Sequence, residues 1–245
     1  VVDGDGTLLV AGRPLNGLYV WALRGYYNSD AEVPRLYKID GQEIYFNGVA
    51  TDGISGAVGN YRLLDLDGDG NPDSYYAGSP LPLAHGGWVN ELMWKNFDLN
   101  IFFAWSYGND VLNANRLVFE SGWRSQTNQL ASYADRWSPE NPASNIPRVN
   151  AVGREEYSSR VIEDGSFLRL KNLTVGYTFP QQWTRKFYVS KLRLYFTAQN
   201  LFVVTGYSGY DPEVSMRASN PMTPSLDWGA YPKSKVYTFG IDLTF

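Results

Sequence analysis

The stretch Lys235-Val236-Tyr237-Thr238-Phe239-Gly240-Ile241-Asp242-Leu243-Thr244-Phe245 sorts into two sets by position parity. Tyr237, Phe239, Ile241, Leu243 and Phe245 are all apolar, whereas Val236, Thr238, Gly240, Asp242 and Thr244 are mostly small or polar. A two-residue period belongs to an extended strand, whose successive side chains point to opposite faces. The apolar set runs out to an aromatic end residue. A soluble protein seldom ends mid-strand on an exposed Phe, because termini fray unless they are tied down.

The alternation returns upstream. Over 97–107, Phe97, Leu99, Ile101, Phe103, Trp105 and Tyr107 oppose Asp98, Asn100, Phe102, Ala104 and Ser106. Over 167–179, Leu173, Val175, Tyr177 and Phe179 oppose Asn172, Thr174, Gly176 and Thr178. Over 191–203, Leu192, Leu194, Phe196 and Ala198 oppose Arg193, Tyr195, Thr197 and Gln199. Two segments are weaker: 84–94, where Asn90 interrupts Trp88, Leu92 and Trp94, and 16–27, which is nearly apolar on both faces. With 235–245 these predict about six strands. In a soluble sandwich the second face would carry Lys and Glu toward water. Here it is Asn, Thr, Ser, Gly and Gln, which suits a crowded polar lumen with the apolar face turned to lipid. The expected fold is therefore all-β, a segment of a transmembrane antiparallel β-barrel.

Composition agrees. The 245 residues carry a net charge of -4 with 16% aromatics, comprising 8 Trp, 18 Tyr and 12 Phe. Such a ring content is at home in a barrel's interfacial girdles or in a carbohydrate-handling β protein, and a Tyr-rich sandwich core is the plainer alternative. No excess of positive charge points to nucleic acid. No Cys and one His exclude disulfides, thiolate sites and multi-His metal or catalytic sites within the chain. Apolar runs such as 18–23 and 101–105 fall far below the roughly 18 residues that a spanning helix needs. The chain opens on Val1-Val2-Asp3 without a signal peptide, so it is expected to be mature or an internal or C-terminal piece of something longer.

Connection lengths alternate. Lys95-Asn96 makes a tight hairpin turn in which Asn tolerates a left-handed backbone, and 180–190 is a modest turn. The segments 28–83, 108–166 and 204–234 are long in the manner of extracellular barrel loops, whereas short turns face the periplasm. With Phe245 at the periplasmic end, every short turn falls there, and Trp94, Phe97, Phe179, Trp183 and Phe187 gather as a girdle. Within the long loops, 109–122 and 126–137 read as short helices, stopped by Ser138-Pro139.

Asp65, Asp67, Asp69 and Asp73 stand at positions 1, 3, 5 and 9 of a calcium-loop spacing, with Gly70 at position 6. Tyr76 rather than Glu occupies position 12, so the loop is not a full EF-hand; it is either a Ca2+ site or an exposed Asp-Gly turn cluster. Trp123, Tyr133, Trp137, Tyr207, Tyr210 and Trp228 could stack on a ligand or a partner, or pack the loops on themselves. Glu155-Glu156 and Glu163-Asp164 fit solvated loop charges better than a glycosidase pair. No catalytic residue is assigned, and the chain is not expected to be an enzyme.

Taken in order, these segments resemble the carboxyl-terminal part of a SusC/RagA-type TonB-linked outer membrane transporter. The resemblance is carried by Asp65 to Asp73 with Ala77-Gly78-Ser79-Pro80; by Trp94 to Leu99 with Trp105 to Asp110; by Phe167 to Tyr177; by Thr197 to Phe202 with Tyr210-Asp211-Pro212-Glu213; and by Tyr231-Pro232 before the last strand. Pro72 replaces a usual aliphatic residue, and Ser234-Lys235 a usual Arg. The resemblance implies import across the outer membrane through a barrel of about 22 strands filled by a plug, driven by the TonB system and lidded by a SusD-like lipoprotein that helps capture oligosaccharides or peptides. The terminal set Tyr237, Phe239, Ile241, Leu243 and Phe245 would then be the barrel-assembly signal. About six strands cannot close a barrel, whose lower limit is about 8, so the remaining strands must come from another chain or from residues outside this one. The alternative is a soluble calcium-binding carbohydrate-recognition β protein; a glycoside hydrolase comes third.

Overall fold

The computed structural model describes residues 2–3, 7–8, 12, 17–32, 35–37, 43–45, 58–64, 66–67, 73–122, 126–149, 151, 157–214 and 225–245. These fall into two units, one made of 1–80, 110–163 and 214–230, the other of 81–109, 164–213 and 231–245.

The second unit is a wall. Its 5-stranded sheet has the order Val236–Thr244, Lys191–Thr205, Phe167–Thr178, Phe97–Tyr107, Ala84–Trp94. All neighbours are antiparallel. The strands are long because alternation is sustained through each, and they occupy the segments read at 84–94, 97–107, 167–179, 191–203 and 235–245. The Trp94–Phe97 pair closes the hairpin, and the left-handed residue of its turn is Lys95 (φ 53°), not Asn96 as expected. A bulge at Lys171 lets Phe102 face Asn172 while Phe103 faces Leu170. The extra residue shifts parity, so Leu168 and Leu170 join Leu173, Val175 and Tyr177 on one face. The sheet does not close, and its two outer strands each keep one margin free of partners within the described residues.

The segment 16–27, expected as a sixth wall strand, lies elsewhere. It forms Gly17–Trp21 and Leu23–Tyr26, which pair with Ser74–Gly78 and Tyr61–Leu63 in the first unit. The physical reason is its two-sided apolarity: Leu18 and Val20 are each 1% exposed and have no lumen side to offer. The three long connections are likewise more than loops. Leu112, Ala114, Leu117 and Val161 of the second connection and Leu226 of the third form one core with Leu18 and Val20; Tyr61 and Leu63 of the first and Trp137 of the second form another with Tyr26. Within 109–122 the helix is confined to Asn115–Phe119, preceded by the strand Asp110–Asn113, and within 126–137 there is a 3-10 turn at Ala131–Asp135. Gly78 makes the start of the second long connection possible. Any Cβ there would strike the Asp110 carboxylate, which accepts the Ser79 N–H at 2.8 Å while the Asp110 N–H returns a bond to the Ser79 carbonyl at 2.7 Å.

Candidate functional site

The wall's two faces differ chemically, and register shows how. On one face the rows read Trp94, Phe97, Tyr177, Leu194, Ile241; then Leu92, Leu99, Val175, Phe196, Phe239; then Asn90, Ile101, Leu173, Ala198, Tyr237; then Trp88, Phe103, Leu170, Phe202. Within its own unit this face is largely open: Trp94 is 67% and Phe239 81% exposed, whereas Leu170 and Ala198 within the rows are buried. Stacked and tilted rings (Trp88 on Phe103, Phe196 between Tyr237 and Phe239) fill it laterally. Toward the short turns a continuous aromatic row runs from Trp94 to Phe97 (6.4 Å), Tyr177 (4.7 Å), Phe179 (5.0 Å) and Trp183 (6.5 Å). Four residues of the expected girdle stand in this row, joined by Tyr177; Phe187 follows Trp183 and is 76% exposed.

The opposite face is a polar ladder. Glu91 accepts from the Asn100 amide (3.0 Å), Asn172 donates to the Thr174 hydroxyl (3.2 Å), and Thr174 bonds Thr197 (2.9 Å). Nearer the short turns, Arg193 donates to Asp98 through Nε (2.9 Å) and Nη2 (2.6 Å), and to Asp242 through Nη1 (3.1 Å). Its guanidinium passes over Gly176, where a Cβ would meet both Asp98 and Arg193. Tyr195 in turn lies over Gly240, its register partner. Such charge-assisted pairs need the polar side to be wet or protein-filled, never hydrocarbon.

At the other end of this face, the segment 207–213 is tied to the wall. Arg169 is ion-paired to Asp211 and, at 2.6 Å, to Glu213; Lys171 and Lys233 reach Glu213 at 2.8 Å and 3.0 Å. Asp211 also accepts the backbone N–H groups of Glu213 (2.9 Å) and Lys233 (3.2 Å). Burial pushes the Glu213 carboxyl up, but hydrogen bonds from Lys171 and Lys233 outweigh it and hold the group below the usual carboxylate range. The Asp-Pro-Glu segment singled out in the sequence is thus an anchor.

The first unit holds a second ionic cluster that pattern reading missed. Buried Arg160 donates to Tyr61 Oη (3.0 Å), Glu120 (2.9 Å) and the Arg116 carbonyl (3.1 Å), and Arg116 donates to Glu120 (2.8 Å) and Glu163 (3.3 Å). Burial raises the Glu120 carboxyl, yet the Ser132 hydroxyl and the two arginines prevail and hold it below the usual range. Glu163 is engaged here, not aimed at a substrate.

The loop aromatics separate. Trp137 is 7% exposed, packs in the second core and donates Nε1–H to Asn28 at 2.8 Å, and Tyr207 is buried too, so neither faces a ligand or partner within its unit. Tyr133 is half-buried with the Arg136 guanidinium over its ring at 5.3 Å. Tyr210 and Trp228 are exposed, and Trp123 lies outside the described residues. Of the aspartates, Asp65 and Asp69 also lie outside them. Asp73 Oδ2 accepts the backbone N–H of Leu66 (2.6 Å) and Asp67 (3.2 Å), as a turn-forming Asp does.

No protein-family profile matches the chain. It is 37% identical over 205 residues to TonB-dependent receptor P3 of Formosa agariphila, covering 81% of this chain and 20% of that protein. It is 34% identical over 196 residues to receptor P26 of the same organism, covering 77% and 20%. It is 29% identical over 192 residues to TonB-dependent receptor SusC of Bacteroides thetaiotaomicron, covering 75% and 17%. The chain thus spans about a fifth of the length of the curated relatives it matches. Among solved structures, the RagAB peptide importer superposes with a TM-score of 0.70 at 24% identity over 100% of this chain and 24% of that one, a likeness of fold.

The chain belongs, as a segment, to the SusC/RagA-like TonB-dependent transporters. For a transporter segment of the outer membrane, the uncovered apolar face is the lipid side and the ladder of Asn, Thr and ion pairs is the lumen side. A soluble carbohydrate-recognition protein would have to cover that apolar face, and within the wall's own unit Trp94 and Phe239 stay exposed. The segment's relatives are receptors and transporters by name, consistent with a chain that is not an enzyme.

Proposed function

We propose that this segment supplies barrel wall and extracellular structure to a TonB-dependent importer of oligosaccharides or peptides that works with a SusD-like surface lipoprotein. The observation that carries the reading is the division of one sheet into an uncovered apolar face and a hydrogen-bonded polar face, in a chain related to SusC and superposable on RagAB. The wall borders the path, and Tyr210 and Trp228 are the exposed rings available to cargo or to a docking lipoprotein. The rest of the barrel, the plug and the TonB contact belong to the remainder of the transporter. The terminal set Tyr237, Phe239, Ile241, Leu243 and Phe245 serves as the assembly signal. Ca2+ bound by Asp65, Asp67, Asp69 and Asp73 is proposed on their spacing alone.

The test is uptake of fluorescent oligosaccharides and peptides by cells carrying the full-length transporter, with and without TonB. Accumulation that needs both is expected. Accumulation unchanged when either is deleted overturns the reading.

A further inference from the structure

The short-turn end of the wall carries charges that import does not call on. Lys95 stands at the hairpin tip, its ammonium 4.8 Å from the centroid of the Trp94 ring. Trp94 lies on the lipid face, so this cation is held on the lipid side of the turn. At the far end of the aromatic row, Trp183 leads into Arg185 and Lys186, both exposed, and then into exposed Phe187 and Tyr188. Among the described residues, Lys95, Arg185 and Lys186 form no ion pair. Asp98 and Asp242, on the strands flanking this end, project into the lumen and are engaged by Arg193.

Uncompensated cations that continue a lipid-facing aromatic row meet the headgroup layer, where the complementary charge is phosphate. We infer that this end of the wall, built from Trp94, Lys95, Trp183, Arg185 and Lys186, is a docking surface for anionic phospholipids of the periplasmic leaflet. The rings seat at the boundary between headgroups and acyl chains, and the three cations hold headgroup phosphates by charge-assisted hydrogen bonds. Lys191 has the same charge and lies close in sequence, but strand parity puts it on the lumen face with Arg193, so it serves as an internal control. The inference rests on the outer membrane placement and not on import or its cargo.

The experiment is native mass spectrometry of the full-length transporter released from mixed micelles of phosphatidylglycerol and phosphatidylethanolamine. The wild type is expected to retain phosphatidylglycerol in preference. The triple variant Lys95→Gln, Arg185→Gln, Lys186→Gln is expected to lose that preference by about fivefold or more, whereas Lys191→Gln keeps it. Lys95→Gln alone, a change at one exposed turn position, should show the same loss in smaller measure and does not depend on the triple variant folding. Equal retention of both lipids by the wild type overturns the inference. So does undiminished preference in the triple and single variants, or an equal loss in Lys191→Gln. Loss of cargo uptake in the TonB experiment would leave these outcomes where they stand.

Discussion

Arg193 and Asp98 stand on strands that are not neighbours, and they meet across Gly176 of the strand between them. The guanidinium presents two N–H groups to the two carboxylate oxygens in a fork geometry, which is stronger and more directional than a single contact. A side chain at position 176 would occupy the space through which that fork passes. Gly176→Ala is therefore expected to destabilise the barrel by about 1–3 kcal/mol through overpacking. The check is the temperature at which the full-length transporter loses its folded gel mobility; an unchanged temperature removes the role assigned to Gly176.

Adjacent residues on the last strand report the two faces. Phe239→Lys puts a charge on the lipid side and is expected to cost about 2–4 kcal/mol if the residue lies near the midplane. Thr238→Lys puts the same charge on the lumen side and is expected to be tolerated. Outer membrane levels of the two variants decide it, and equal levels would contradict the assignment of faces.

Much of this wall was legible because alternation is a local signal. Phe97 to Tyr107 and Val236 to Thr244 can be placed from parity alone, and the rings near the short turns from connection length. Leu18 to Tyr27 misled because apolarity on both sides is the mark of a strand buried on both faces, and a wall strand must keep one polar side. The bulge at Lys171 was hidden, since a parity switch between Leu170 and Leu173 looks like irregularity until the partners on both flanks are known. The ionic clusters were hidden for a different reason. Arg160 meets Glu120 across 40 residues and Tyr61 across 99, and ion pairing leaves no period in a sequence. Among the loop aromatics, ring type alone could not tell Trp137, which is core, from Tyr210, which is surface.

That last contrast is testable. Trp137→Ala removes a buried ring and its bond to Asn28 and is expected to destabilise the first unit by about 3–5 kcal/mol. Tyr210→Ala should stay within about 0.5 kcal/mol. Hydrogen exchange at the amides of 58–63 in the full-length protein reads the first; similar protection in both variants would refute the distinction.

Glu120 sets a pH limit on the first unit. Its folded carboxyl titrates below the unfolded value of about 4.3, because Ser132 and the two arginines outweigh its burial. The stability it contributes is then fully present above that value and is lost as pH falls through the lower folded one. Exchange of the amides of 116–120 and 158–161 should accelerate as pH is lowered below about 4.3, after correction for intrinsic rates. Glu120→Gln should flatten that dependence and cost about 3–5 kcal/mol by leaving Arg160 without its buried counter-charge. An unaltered profile in the variant would exclude Glu120 as its origin.

The aspartate spacing gives a direct measurement. Calorimetric titration of the full-length transporter with Ca2+ should yield a signal that Asp67→Ala combined with Asp69→Ala abolishes. No heat in the parent, or the same heat in the variant, would leave the segment as a turn cluster organised by Asp73.

Among the described residues, the strands Ala84–Trp94 and Val236–Thr244 each present an unjoined margin of peptide groups. Hydrocarbon offers such groups nothing, at a cost of several kcal/mol apiece. This sector therefore cannot settle in a bilayer ahead of its flanking staves. Its insertion and the sealing of the complete ring are one event, so damage to a distant stave is felt here as failure to assemble.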